Sequence, residues 1–324
     1  MTEIAHRQNA QRSDAEVLAE RLPALLPEAQ TLGQAEIPKG TVARYIPELA
    51  KADPAHLAIV VRTVDGERYE IGDTEVAFTF QSVSKVFALA LLLRERGLDI
   101  FDSLSCEPSG DAFHSIVRLE EEQGRPRNPY INAGAILVSG ALPGDDPTAK
   151  INRLQSFLAD ICDAEPFPLD EAVFRSESAT GFRNRALANY MQHFGRIADA
   201  KAAAETYFRQ CSLSLTARQL ARLGLFLASS GVDPISGQQV ISPECNRTAV
   251  ALMATCGLYD EVGQFAISVG LPAKSGVSGA ILAVVPGRMT IATYSPALGP
   301  KGNSVAGLKV LQFLSDELGL SLFG

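Results

Sequence analysis

The chain has 324 residues, 46% of them hydrophobic and 20% charged, with a formal net charge of -8 and a pI near 5.2. That length and apolar content suit one large domain or two modest ones around a real core. The negative charge argues against nucleic acid, whose phosphates need clustered Lys and Arg, and against docking on anionic membranes.

In chain order, "MTEIAHRQNAQRSDAEVLAERLPALL" is charged throughout and lacks the apolar segment and cleavage site of an export signal. Ala15, Leu18, Leu22 and Leu25 recur at helical spacing and predict a first helix. "AHLAIVVRTVDGERYEIGD" reads as a β-hairpin, turning at Asp65-Gly66. "EVAFTF" reads as extended, and "SVSKVFALALLLR" as strong helix from Ser82 to Arg94. Its apolar run stops at Arg94, too short to cross a bilayer.

The middle of the chain is helical in pattern. "INAGAILVSGAL", "KINRLQSFLADIC", "RALANYMQHF" and "TARQLARLGLFLASSG" are the clearest segments, the last stopping at Gly231. Glu120 to Glu122 reads as a solvated loop or helix end. Strand character returns in "QFAISVGLPA", "SGAILAVVPG" and "MTIATYSP", the last two separated by a Pro286-Gly287 turn. "NSVAGLKVLQFLSDEL" is an amphipathic helix with Asn303 or Ser304 as its cap.

With strands at both ends, the economical arrangement is one antiparallel sheet covered by the terminal helices. The expected fold is α+β: a single domain over 1–324, with a sheet lobe at about 30–81 and 262–324 and a helical lobe at about 82–261. Residues at the lobe junction would line a cleft.

Five cysteines, Cys106, Cys162, Cys211, Cys245 and Cys256, form no CxxC pair and read as buried thiols. His6, His56, His114 and His193 are scattered without metal-ligand spacing, so no metal or cofactor is expected.

Chemistry concentrates in "FTFQSVSKVF". Ser82 and Lys85, three apart, share one helical face, whereas Ser84 and Lys85 do not. A serine at a helix start meets free N–H groups and the positive end of the dipole. A lysine can serve as its base once burial lowers its pKa. Taken alone, the spacing is a weak signal that arises often by chance, and a capping serine with a lysine whose head reaches water fits it better than chemistry does. Two later elements favour chemistry. "YINAG" supplies Tyr130 and Asn132, and "LPAKSGVSG" supplies Lys274, Ser275 and Gly276, in the order used by penicillin-recognising Ser-x-x-Lys enzymes.

Further stretches, "ARYIPELA", "VDGERYEIGD", "EPSG", "NPYINAGAI", "SESATGFRN", "FRQCSLSLTARQLA", "CGLYDEVGQFAISVGLPAKSGVSGAI" and "GNSVAGLKVL", resemble the serine-dependent glutaminases from about Gln34 nearly to the C-terminus. The resemblance implies a β-lactamase-like fold and hydrolysis of L-glutamine to L-glutamate and ammonia through a γ-glutamyl-serine ester. It implies Ser82 as nucleophile, Lys85 as base and Tyr259 as proton relay, the phenol taking cationic help from Lys85. Tyr45, Asn132, Glu177, Asn184 and Tyr207 would bind the substrate, Glu177 its ammonium. The N–H groups of Ser82 and Val277 would form the oxyanion hole, with Lys274 in a supporting electrostatic role. The stretch Ser178 to Arg183 carries no acidic residue, where animal members have one.

With no export signal or membrane span in the sequence, a soluble cytoplasmic protein is expected, and the resemblance implies a compact bacterial form that is a homodimer or homotetramer. The competing readings are a penicillin-recognising hydrolase or peptidase and a non-catalytic glutamine-binding module.

Overall fold

The computed structural model describes residues 14–110, 115–162 and 167–324. His6 and His114 lie outside them. The periodic leucines form helix α1 (Asp14–Glu36), which buries Leu18, Leu22, Leu25 and Leu26, while Ala15 stays exposed on the first turn. Strands β1 (Ala58–Thr63) and β2 (Arg68–Gly72) pair as the expected hairpin. At its turn Gly66 takes φ 98°, a conformation open to glycine at little cost.

"EVAFTF" is extended only over β3 (Phe78–Thr79). A 3₁₀ turn, Gln81–Val83, then leads into α2 (Ser84–Arg96), so Ser82 precedes the α-helix rather than opening it. Short α3 (Val117–Glu121) carries the acidic patch at its end. Helices α4 (Asn132–Ala141), α5 (Pro147–Cys162), α6 (Glu171–Thr180), α7 (Phe182–His193) and α8 (Ala200–Cys211) follow. Next come β4 (Ser214–Leu215), α9 (Ala217–Ala228) and α10 (Pro243–Cys256). A Thr216–Gln219 capping box starts α9, and the Gly231 N–H returns to the Phe226 carbonyl to end it.

The expected strand in "QFAISVGLPA" is mostly helix. Its apolar run forms α11 (Val262–Ser268), and only β5 (Ala273–Ser275) is extended. Phe265 is buried while Ile267, two positions on, is 84% exposed, so the run does not alternate as a half-buried strand would. Strands β6 (Ala280–Val285) and β7 (Met289–Tyr294) and helix α12 (Val305–Leu318) complete the chain, with Ser304 rather than Asn303 capping α12.

The strands from both ends make one antiparallel sheet in the order β2-β1-β7-β6-β5. β3 does not join it: it pairs with β4 of the helical part, and Phe78 stacks on Tyr294 at 4.3 Å. The register explains the two cores. The row Val60–Ala292–Leu282–Lys274 faces α2 and α9, and the next row, Ile59–Thr293–Ile281–Ser275, faces α1 and α12. Strand alternation therefore sends the Lys274 side chain into the helical side and Ser275 toward α12.

Among the described residues, no helix is long and apolar enough to cross a membrane. The five thiols are free, but only Cys211 and Cys245 are buried and Cys106 is exposed, so burial explains two of them.

Leu22 is fully buried between α1 and the sheet's second core. Leu22→Ala should cost about 2–5 kcal/mol in urea unfolding, the range for a core leucine truncated to alanine.

Candidate active site

Helix α2 is buried on every side from Ser84 to Leu93, so "SVSKVFALALLL" is the central helix and not a surface one. Its approach is strained. Gln81 takes φ 47° although it is not glycine, a conformation that costs roughly 1–2 kcal/mol. Ser82 follows it, 7% exposed. A 3₁₀ turn stacks residues three apart, which keeps Ser82 and Lys85 on one face. Ser84 is spoken for: its hydroxyl donates to the Gln81 carbonyl at 2.6 Å and accepts from Gln210 Nε2 at 3.0 Å. Gln210 in turn accepts from Ser139 at 2.9 Å.

Lys85 is 1% exposed. Its Nζ donates to the Tyr130 carbonyl at 3.1 Å and to Asn132 Oδ1 at 2.8 Å, both neutral acceptors. Burial lowers its pKa from 10.5 to about 8, against the raising effect of Cys211 and Glu177. Asn132 is the hub. The same Oδ1 accepts from Tyr207 Oη at 3.3 Å, and Nδ2 donates to Asn184 Oδ1 at 2.9 Å.

Tyr259 also sits in the left-handed region, at φ 52°. Its phenol hydrogen-bonds Ser82, and burial pushes its pKa well above the ordinary value despite that bond. It is therefore a neutral hydroxyl. The amine over its ring is that of Lys274, with Nζ 4.6 Å from the centroid, not Lys85 as the sequence suggested. Lys274 is fully buried and donates to the carbonyls of Gly257 and Ser275 at 2.9 and 2.7 Å. Burial, reinforced by Lys85, drives its pKa well down. The sheet edge also reaches the serine: a Cβ on Gly276 would lie 3.4 Å from the Ser82 nitrogen. That proximity brings the Val277 backbone beside Ser82.

Tyr45, Asn132, Glu177, Thr180, Arg183 and Asn184 line a cavity of about 310 Å³, the size of a small-ligand pocket. Tyr45 stands at its lip, 59% exposed, and Glu177 on its wall, 6% exposed. Burial raises the Glu177 carboxyl from 4.5 to about 7, although a hydrogen bond from Gln81 and the charge of Lys85 pull it down.

Of the nine residues expected from the sequence, Tyr45, Asn132, Glu177 and Asn184 line this cavity, Lys85 and Tyr207 bond Asn132, and Tyr259 bonds Ser82, whose nitrogen lies near Gly276, the neighbour of Val277. The sequence missed Gln81, which orients Glu177, and the Ser84–Gln210–Ser139 chain that occupies Ser84. Only adjacency to Ser82 hinted at Gln81, because a side chain's reach across the fold leaves no local pattern. Among the described residues, no group of three or more His, Cys, Asp or Glu side chains is arranged to hold a metal ion.

A family model described as Glutaminase matches residues 40–323. A protein of Rhizobium meliloti (strain 1021) named glutaminase is 48% identical over 288 residues, covering 88% of this chain and 91% of its own. The crystal structure of a probable glutaminase of Bacillus subtilis superposes with a TM-score of 0.86 at 37% identity, covering 92% of this chain and 97% of that one. A covalent complex of a Bacillus subtilis glutaminase with 5-oxo-L-norleucine, formed from 6-diazo-5-oxo-L-norleucine, superposes with a TM-score of 0.85 at 36% identity, covering 93% and 100%.

Because Lys85 is held by neutral acceptors, its pKa should answer to charge placed on Asn132. Asn132→Asp should raise it by roughly 1–3 pH units, the effect of an adjacent opposite charge. The ¹⁵N shift of the lysine Nζ against pH reads this directly, and an unchanged midpoint would contradict the geometry.

Proposed function

The chain belongs to the glutaminase family and hydrolyses L-glutamine to L-glutamate and ammonia; we propose that Ser82 is its nucleophile, Lys85 its base and Tyr259 its proton relay. The observation that carries this reading is the Ser82–Tyr259 hydrogen bond beside a lysine whose pKa is lowered to about 8. The β-lactamase-like α+β fold of the related structures suits the same Ser-x-x-Lys logic.

In the first step the Ser82 hydroxyl gives its proton to neutral Lys85 as Oγ attacks the side-chain amide carbon. The N–H groups of Ser82 and Val277 take the charge on the carbonyl oxygen. The carbon–nitrogen bond then breaks, and the nitrogen leaves as ammonia with a proton delivered through Tyr259 and replaced from Lys85. Water, deprotonated by the reverse relay, hydrolyses the γ-glutamyl ester and returns the proton to Ser82. Glu177 binds the substrate ammonium, while Tyr45, Asn132, Asn184 and Tyr207 supply hydrogen bonds to the rest of the amino acid. The covalent 5-oxo-L-norleucine complex of the Bacillus subtilis relative supports a nucleophilic mechanism.

The sequence reading of one catalytic domain with two lobes, cytoplasmic and homo-oligomeric, belongs to the same proposal. Sedimentation at micromolar concentration tests the oligomer. The penicillin-recognising alternative shares the serine and lysine but not the family, and a chromogenic β-lactam should stay uncleaved.

Ser82→Ala should abolish nearly all ammonia release while glutamine binding, followed by calorimetry, persists. Ser84→Ala should cost far less, since Ser84 points into the Gln210 network; equal losses would sink the assignment.

The pH profile follows from the signs. Lys85, lowered to about 8, is the active neutral form only above that pH, and Glu177, raised to about 7, is the ammonium-binding anion only above its own. Both requirements make kcat/KM rise with pH through this range, as a coupled pair, and fall again once the substrate ammonium itself deprotonates. Lys85→Arg should be nearly inactive at every pH, because arginine does not deprotonate.

A further inference from the structure

Tyr259 is held in a conformation its residue type disfavours, so something must over-determine it. The groups doing so converge on Asn303, a fully buried residue just before α12. Its Oδ1 accepts from the Ser275 hydroxyl at 2.5 Å. Its Nδ2 donates to the Leu258 carbonyl at 3.2 Å and to Glu261 Oε2 at 2.5 Å. Leu258 and Glu261 flank Tyr259, so the amide grips both ends of the strained turn and ties it to β5. The chain beside Asn303 adds packing. A Cβ on Gly302 would lie 3.8 Å from both the Tyr259 ring and a Val277 methyl. Leu298 forms a small apolar cluster with Ala43 and Val277, against which Tyr259 packs.

We propose that Asn303 is a positioning residue for the reaction, setting the Tyr259 hydroxyl against Ser82 by clamping the Leu258–Glu261 turn. An amide is suited to this because one end must accept a hydroxyl proton while the other donates to a carbonyl and a carboxylate. An aspartate of the same shape would face the Glu261 carboxylate and the Leu258 carbonyl with an acceptor. The inference rests on the reading of Tyr259 as proton relay.

The test measures kcat, KM for glutamine and melting temperature in Asn303→Asp, Glu261→Ala, Asn303→Asp/Glu261→Gln and Tyr259→Phe. Misplacing a reacting group by about 1 Å can cost on the order of 10²-fold, so Asn303→Asp should lower kcat by about that factor with KM little changed. The double variant reverses donor and acceptor across the pair and should recover about tenfold of the loss, consistent with a geometric effect of that order. Glu261→Ala, at a half-buried position that folding tolerates more readily, should lower kcat by a smaller factor with KM unchanged. If Tyr259→Phe is inactive while the Asn303 and Glu261 variants keep full kcat, the positioning role is wrong. If Asn303→Asp loses kcat, KM and melting temperature together and the double variant restores none of them, Asn303 is structural only. Full turnover in Tyr259→Phe would instead remove the relay reading on which the inference stands.

Discussion

The site depends on one costly arrangement: a lysine amine placed inside an apolar core with only neutral groups to receive its hydrogen bonds. Moving Lys85 from 10.5 to about 8 corresponds to about 3 kcal/mol against its charged form, at 1.36 kcal/mol per pH unit. The surrounding helices supply that environment. Because α2 is apolar on every face, it sits where all neighbours are protein, and the lysine on its first turn has nowhere wet to go. Had a carboxylate replaced Asn132, the amine would remain a cation and could not act as the base proposed for it.

The second constraint is strain. Gln81 and Tyr259 are both held at positive φ without being glycine; one precedes Ser82 in the chain and the other hydrogen-bonds it. Each is held by groups remote in sequence: Gln81 through Glu177, with a local bond to Thr79, and Tyr259 through Lys274 and the Asn303 network. Strain of this kind survives only where the rest of the fold has no cheaper alternative. Here one strained residue brings a phenol to Ser82 and the other hydrogen-bonds the Glu177 carboxyl on the pocket wall. The sheet contributes through its two-residue period, which sends Lys274 toward the cleft and Ser275 toward Asn303 from adjacent positions.

Much of this is legible in the sequence. The hairpin at Asp65-Gly66, the long terminal helices and the central helix follow from residue spacing and turn chemistry, which act over a few residues. The failures were of two kinds. "QFAISVGLPA" is apolar enough for either a strand or a helix, and as α11 it packs against α10 and buries Phe265 in the second core. "EVAFTF" has strand character, but its partner turned out to be Ser214–Leu215, a pairing no local pattern encodes. Ser82 was separable from Ser84 by helical face alone, yet the reason Ser84 is inert, its bonds to Gln210 and Gln81, lies 126 residues away in one case.

By itself the sequence determined the element types, the α+β class and, through dispersed motifs, the family and its reaction. Those are carried by short-range propensity and by residue identities that survive at fixed spacings. Only the tertiary structure decided where each lysine amine sits, placing Lys274 over the Tyr259 ring and Lys85 against the Asn132 amide oxygen. It also decided that Glu177 and Lys85 titrate near neutrality. The physical reason is that pKa and hydrogen-bond partnership depend on burial and on groups brought together from distant segments, and neither is a property of any stretch of chain read alone.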